Sequence, residues 1–289
     1  MRCVKGSKVN PIIIAAMSDS RPIGIFDSGV GGLSVWREIV RQLPHDDTLY
    51  FADQIHIPYG PRSMDQIRSF SEAIARFLLE HECKLIVVAC NAASAAALRY
   101  LRATFPQTPM VGMEPAVKPA AESTQTGVVG VMATPATFQG ELFASVVERF
   151  AHGVRLINQI CPGLVEQVEA GQLDTPETLA MLDRFLTPIR DASADTIVLA
   201  CTHYPFVIDS IRRLAPGVNV IDPAPAIARQ AGRMLAEQKL STDRESTGHH
   251  LFVTSGTVDS FNHALQTLTC QRGDVQSIRW SADERRIID

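Results

Sequence analysis

Short apolar runs alternate along this chain with stretches in which apolar residues return every three or four positions. The runs at 22–26, 48–53, 85–89, 110–113, 126–132, 154–158, 196–200, 219–222 and 250–255 read as strands. Most show no in-out alternation, as expected of parallel strands covered on both faces. Between them, 33–40, 64–81, 91–99, 139–150, 161–169, 175–190, 206–214, 227–238 and 258–268 read as helices. In 64–81 the residues Ile67, Phe70, Ile74, Phe77 and Leu78 mark one apolar face. Strand and helix in regular alternation predict an α/β protein built on parallel sheets.

Two of the runs resemble each other. Leu-Ile-Val-Val-Ala-Cys-Asn at 85–91 and Thr-Ile-Val-Leu-Ala-Cys-Thr-His at 196–203 both end in Ala-Cys followed by polar residues. The repeat predicts two similar lobes, each a mostly parallel sheet flanked by helices, with the active site in the cleft between them. Crossovers are expected near Glu114, where 114–119 reads as irregular, and near Asp222. They divide the chain into a discontinuous first domain, 21–113 with 223–270, and a second domain, 114–222. Residues 1–20 are expected to be a poorly ordered extension. Arg2, Lys5, Lys8 and the apolar 11–17 also resemble a weak signal peptide, but that run is short and is interrupted by Asn10-Pro11, so the favoured reading is a loosely ordered extension, or an upstream start with Met17 as the functional one. Residues 271–289 read as a C-terminal tail.

Composition narrows the function. At 289 residues and 46% apolar, the chain can bury a full core. A net charge of −4 without a basic patch argues against nucleic acid, and no apolar run approaches the length of a membrane span. Cys3, Cys83, Cys90, Cys161, Cys201 and Cys270 are scattered without a Cys-x-x-Cys pair, which fits neither a zinc ribbon nor a disulfide framework and points to a reducing, cytoplasmic setting. The sequence does not set an oligomeric state; a homodimer is one assembly compatible with it.

Ligands of open α/β sheets sit beyond the carboxyl ends of the strands. Cys90 and Cys201 fall there, while Cys83, Cys161 and Cys270 read as small core or surface residues. Cys90 also opens a helix-forming run, where backbone dipoles favour a thiolate and bind carboxylate. Two thiols on opposite faces of one carbon can invert it: one, as thiolate, removes the α-proton, and the other, as thiol, returns one to the far face. Asp27, at the exit of the first strand, is the candidate to orient Cys90; His203 is the candidate to serve Cys201, with Glu166 as a third partner. The Asp-Ser-Gly-Val-Gly-Gly turn at 27–32 offers backbone N–H groups to an anion. Pro58-Tyr59-Gly60-Pro61 is a rigid turn able to cover a small polar ligand. Other uses of the same residues are an acidic-metabolite binding protein without turnover, and a metal site made of Cys90, Cys201 and His203.

The blocks at 27–34, Ala52-Asp53 with Pro58-Tyr-Gly60, Ala89-Cys-Asn91, Cys-Thr-His-Tyr-Pro at 201–205 and Phe252 to Gly256 together resemble glutamate racemase, in order, from about Pro22 to Leu268. The resemblance implies a cofactor-independent interconversion of L- and D-glutamate that supplies D-glutamate to peptidoglycan. It implies no metal, Cys201 as the base toward L-glutamate and Cys90 toward D-glutamate. It also implies substrate contacts from Asp27, Ser28, Tyr59, Gly60, Asn91, Ala92, Thr202 and His203, which can hold two carboxylates and an ammonium. One position departs: the family has Cys-Asn-Thr and this chain has Ala92, which loses a hydroxyl but keeps the backbone N–H. One neutral hydrogen bond is worth about 0.5–1.5 kcal/mol, so weaker glutamate binding is expected, and a racemase of aspartate or another acidic amino acid is the nearest rival. The related decarboxylases use a single cysteine.

Overall fold

The structure is a computed structural model that describes residues 18–288. The expected extension therefore lies outside the described residues except for 18–20, and the proposed start at Met17 lies outside them entirely.

Twelve strands are present among the described residues: β1 (Ile23–Asp27), β2 (Thr48–Ala52), β3 (Leu85–Val88), β4 (Met110–Gly112), β5 (Val128–Ala133), β6 (Arg155–Ile160), β7 (Thr196–Ala200), β8 (Asn219–Ile221), β9 (His250–Thr254), β10 (Asp274–Ser277), β11 (Arg279–Trp280) and β12 (Ile287–Ile288). Two parallel sheets hold ten of them. One has the order β10-β9-β2-β1-β3-β4 and the other β6-β5-β7-β8. The chain leaves the first sheet after β4, builds the whole second sheet, and returns at β9.

Burial on both faces explains the unbroken apolar runs. Ile23, Ile25, Leu85 and Val87 point into one core with the helices Leu33–Gln42, Ala224–Glu237 and Val258–Thr269. Their neighbours Phe26, Ile86 and Val88 point to the other face, beneath Met64–Glu80 and Asn91–Thr104. The second sheet is covered likewise, by Val117–Ser123 and Glu141–Phe150 on one side and Leu164–Glu169, Pro176–Asp191 and Ile208–Leu214 on the other. One apolar cluster contains both Leu33 and Val35 of the first lobe and Leu182, Leu199 and Ile211 of the second, so the lobes share a core. Helix starts follow capping chemistry: Ser63 and Gln66 exchange hydrogen bonds in a capping box, and Thr175 and Thr257 each accept an N–H three residues on.

Three expectations need correction. The stretch 114–119 is not irregular throughout, because a helix begins at Val117, which is fully buried. The helix expected over 139–150 is split at Gly140, where any side chain would strike Ala95 of the neighbouring helix. Residues 271–289 are not a loose tail as far as they are described: β10 extends the first sheet, β11 and β12 form a small antiparallel ribbon, and Ile278 and Trp280 are buried against Phe70 and its neighbours. Their burial keeps the ribbon on the first lobe.

Candidate active site

The carboxyl ends of β1, β3 and β7 meet at a cavity of about 300 Å³ in the cleft. Ser28, Tyr59, Gly60, Cys90, Asn91 and Ala92 line it from the first lobe, and Cys201, Thr202 and His203 from the second. Both cysteines thus line one space.

The surroundings of the two sulfurs differ. Cys90 is the N-cap of the helix Asn91–Thr104, with an extended backbone and its sulfur 3.5 Å from the Ala93 N–H that it accepts. Ser28 Oγ lies 3.8 Å from the same sulfur. Burial, then the Asp27 carboxylate, push the Cys90 thiol well above the ordinary cysteine range, and the Ala93 N–H and Ser28 pull it only partly back. Asp27 is itself fully buried behind the cavity. Its Oδ2 accepts the N–H groups of Gly29 (3.1 Å) and Gly32 (3.0 Å), and its Oδ1 accepts from Thr202 Oγ1 at 3.4 Å. The glycine-rich turn therefore serves as a carboxylate cradle inside the protein. Burial raises the Asp27 pKa, opposed by His203 and by those two N–H groups.

Cys201 faces an imidazole instead. His203 Nδ1 is 3.8 Å from the Cys201 sulfur, and His203 Nε2 donates to Glu169 Oε1 at 2.7 Å. Burial works against a charge on His203, but the Cys201 sulfur and the Glu169 carboxylate outweigh it and hold the imidazole pKa well above its ordinary value. Glu169 is fixed in turn: Oε1 also accepts the Val30 N–H from the opposite lobe at 2.8 Å, and Gln54 Nε2 lies 3.5 Å from Oε2. Tyr204 is fully buried, and its hydroxyl has no hydrogen-bond partner among the described residues.

Asn91 marks where a polar ligand belongs. It is buried at the cavity wall, and neither its Oδ1 nor its Nδ2 has a hydrogen-bond partner among the described residues. Buried amides are nearly always paired, so both atoms are available to a bound molecule.

Glu166 is not where the sequence reading put it. It is exposed and lines a neighbouring cavity of about 480 Å³ with Cys161, Pro162 and Ile160. Glu169, one helical turn further on, reaches His203. Sequence reasoning also passed over Thr134, Thr137 and Val165, which complete the wall on the second lobe. Thr134 and Thr137 bring hydroxyls to a site where Ala92 brings none. The signal for them was the Ala-Thr-Pro turn at the exit of β5, a strand end of the same kind as those carrying the cysteines. Among the described residues, no three His, Cys, Asp or Glu side chains gather to hold a metal ion.

Gly31 shows how tightly the lobes approach. A β-carbon there would run into the His203 imidazole. We expect Gly31→Ala to displace His203 and lower kcat/KM by about tenfold or more, since small misplacements of catalytic groups are costly. Steady-state kinetics checks this, with a circular dichroism spectrum confirming an unchanged fold.

The model of the Asp/Glu/Hydantoin racemase family matches residues 23–231. A glutamate racemase of Roseiflexus sp. strain RS-1 is 49% identical over 256 residues, covering 87% of this chain and 94% of its own length. Among solved structures, the Francisella tularensis glutamate racemase in complex with D-glutamate aligns with a TM-score of 0.80 at 28% identity, covering 92% of this chain and 99% of that one. The Escherichia coli glutamate racemase in complex with L-glutamate and the activator UDP-MurNAc-Ala aligns with a TM-score of 0.78 at 33% identity, covering 89% and 97%.

Proposed function

This chain belongs to the Asp/Glu/Hydantoin racemase family, and from that premise we propose that it interconverts L- and D-glutamate without a cofactor, using Cys90 and Cys201 as the acid/base pair. The observation that carries this reading is the placement of two buried cysteines, from different lobes, on one cavity, one beside a carboxylate and the other beside an imidazole. The similar proteins bearing the glutamate racemase name, two of them with one or the other enantiomer bound, support glutamate as the substrate.

In this reading the His203 side chain is placed to offset the negative charge when Cys201 acts as a thiolate, while burial, then the Asp27 carboxylate, keep the proton on Cys90. L-Glutamate enters with its α-hydrogen toward Cys201. The thiolate takes that proton, the electron pair stays on the α-carbon, and the Cys90 thiol gives its proton to the opposite face. The product is D-glutamate, with Cys201 now protonated and Cys90 a thiolate. That is the form that accepts D-glutamate, so the reverse reaction uses the same steps in reverse order. Asn91, the backbone N–H of Ala92, Thr202 and the hydroxyls of Ser28, Thr134 and Thr137 hold the carboxylates and the ammonium. Tyr59 and Gly60 close one wall. Supply of D-glutamate to peptidoglycan synthesis in the cytoplasm is the cellular role that follows.

The test is a panel of L- and D-amino acids followed by circular dichroism. Glutamate should lose its optical activity fastest from either enantiomer, and preferential turnover of aspartate, or none at all, would sink the reading. In deuterium oxide, each conversion should place one solvent deuteron at the α-carbon of the product, read by mass spectrometry or by loss of the α-proton resonance. Products that keep the substrate's hydrogen quantitatively would argue against exchangeable thiols as the acid and base.

A further inference from the structure

We propose that the ribbon at the C-terminal end of the described chain is part of the substrate-binding apparatus: Trp280, acting through the buried carboxylate of Asp53, fixes the segment 58–60 that walls the cavity. Asp53 follows β2 and is fully buried. Four side chains donate to its carboxylate. The Tyr59 hydroxyl reaches Oδ2 at 2.7 Å, and His56 Nδ1 approaches the same oxygen at 2.8 Å. On Oδ1, the Trp280 indole N–H sits at 2.9 Å and the Ser255 hydroxyl at 3.0 Å. These donors come from the segment after β2, the exit of β9 and the ribbon, so one carboxylate joins three distant parts of the chain.

The arrangement singles out Tyr59 as the beneficiary. Tyr59 and Gly60 touch the cavity, whereas Asp53, Ser255 and Trp280 do not. The Asp53 carboxylate holds the Tyr59 ring from behind, and the Gly60 carbonyl, next in the chain, accepts the Ala136 N–H of the other lobe at 3.1 Å. A Tyr59 allowed to swing would carry Gly60, and with it a contact across the cleft. Trp280 is built in rather than laid over. Its ring meets His56 edge-on at 4.9 Å and Phe70 at 5.7 Å, and His56 stacks on Phe70 at 3.9 Å. The outer nitrogen of His56, Nε2, is buried without a hydrogen-bond partner among the described residues, and the Glu284 carboxylate of the same ribbon stands 3.7 Å from it. The ribbon thus approaches this cluster with an indole N–H at one end and a carboxylate at the other.

Trp280 is a positioning residue, since it touches neither the cavity nor the sulfurs. The proposal rests on the glutamate racemase reading for its kinetic readout, so the test has a second arm that does not. Trp280→Phe keeps an aromatic ring on Phe70 and removes the donor. A hydrogen bond to a charged acceptor is worth about tenfold or more in an equilibrium constant, so KM for both enantiomers should rise about tenfold while kcat changes less than about threefold. A variant that had merely lost stability would show the reverse, a lower kcat from fewer folded molecules with KM unchanged. By hydrogen exchange, amides in 53–62 should exchange about tenfold faster in Trp280→Phe, with β5–β8 unaffected. Ser255→Ala, which removes another donor from the same oxygen, should shift both readouts in the same direction. Unchanged exchange in 53–62 of folded Trp280→Phe overturns the proposal whether or not the parent racemises glutamate. Unchanged KM in an active, folded variant overturns it as well.

Discussion

Replacing Cys90 or Cys201 by serine is expected to lower kcat/KM by about 10³-fold or more while leaving the fold intact. General acid–base catalysis by a single group contributes roughly 10²–10⁴-fold, and a serine hydroxyl is a far weaker acid than a thiol. The loss must be equal in the two directions. Enantiomers have the same free energy in water, so the equilibrium constant is one, and kcat/KM for L- and D-glutamate cannot be changed separately by any substitution. What separates the two cysteines is exchange without inversion. With Cys90→Ser, the remaining base at Cys201 should still exchange the α-hydrogen of L-glutamate with deuterium oxide faster than that of D-glutamate. With Cys201→Ser the preference should reverse. Near-normal racemisation in either variant, or exchange without enantiomer preference in both, would remove the two-thiol scheme. Both side chains are buried at strand ends and differ from serine by one atom, so neither substitution opens a cavity large enough to explain such a loss.

The second large effect belongs to Glu169. Glu169→Gln should lower kcat/KM by about 10²-fold at neutral pH and move the alkaline limb of the pH profile toward lower pH. The sign follows from the pair. His203 has its pKa raised, so its cation persists to higher pH than in a free histidine. A glutamine no longer supplies the negative charge, His203 loses its proton earlier as pH rises, and the cation beside Cys201 goes with it. The same linkage acts on stability. The contribution from His203 is fully present below about pH 6.5, the ordinary histidine value, and is lost as pH rises through the raised value in the folded protein. Glu166→Gln is the matching control, since Glu166 lines the neighbouring cavity and makes no contact with His203; its kcat/KM should stay within about twofold. A pH profile of Glu169→Gln superimposable on the parent's would show that Glu169 does not govern the histidine.

These two glutamates show what a sequence can and cannot carry. Cys90 and Cys201 were legible because each ends an unbroken apolar run, and a run buried on both faces has to deliver its last residue to the sheet's carboxyl edge. Asp27, Ser28 and His203 were legible for the same reason. Glu166 and Glu169 are three residues apart on one short helix, which places them about 60° apart around its axis. That difference decides which one reaches His203, and it is set by how Leu164, Val165 and Val168 seat the helix on the second lobe. Spacing alone does not contain it. Trp280 was hidden for another reason. It lies among Arg279, Ser281, Asp283 and Glu284, a neighbourhood that looks solvated, and its burial depends on a carboxylate at position 53 that no local pattern announces. The α/β architecture, by contrast, follows from periodicity, which repeats over every element and tolerates misplaced ends such as the split at Gly140, and the two lobes follow from the repeated Ala-Cys strand.

Glu169 Oε1 accepts from Val30 on one lobe and from His203 on the other. A hinge motion wide enough to admit glutamate would strip the Val30 N–H from this carboxylate and wet the imidazole beside it. A form opened that far would offer oxidants and alkylating agents a duller nucleophile at Cys201 than the closed form does.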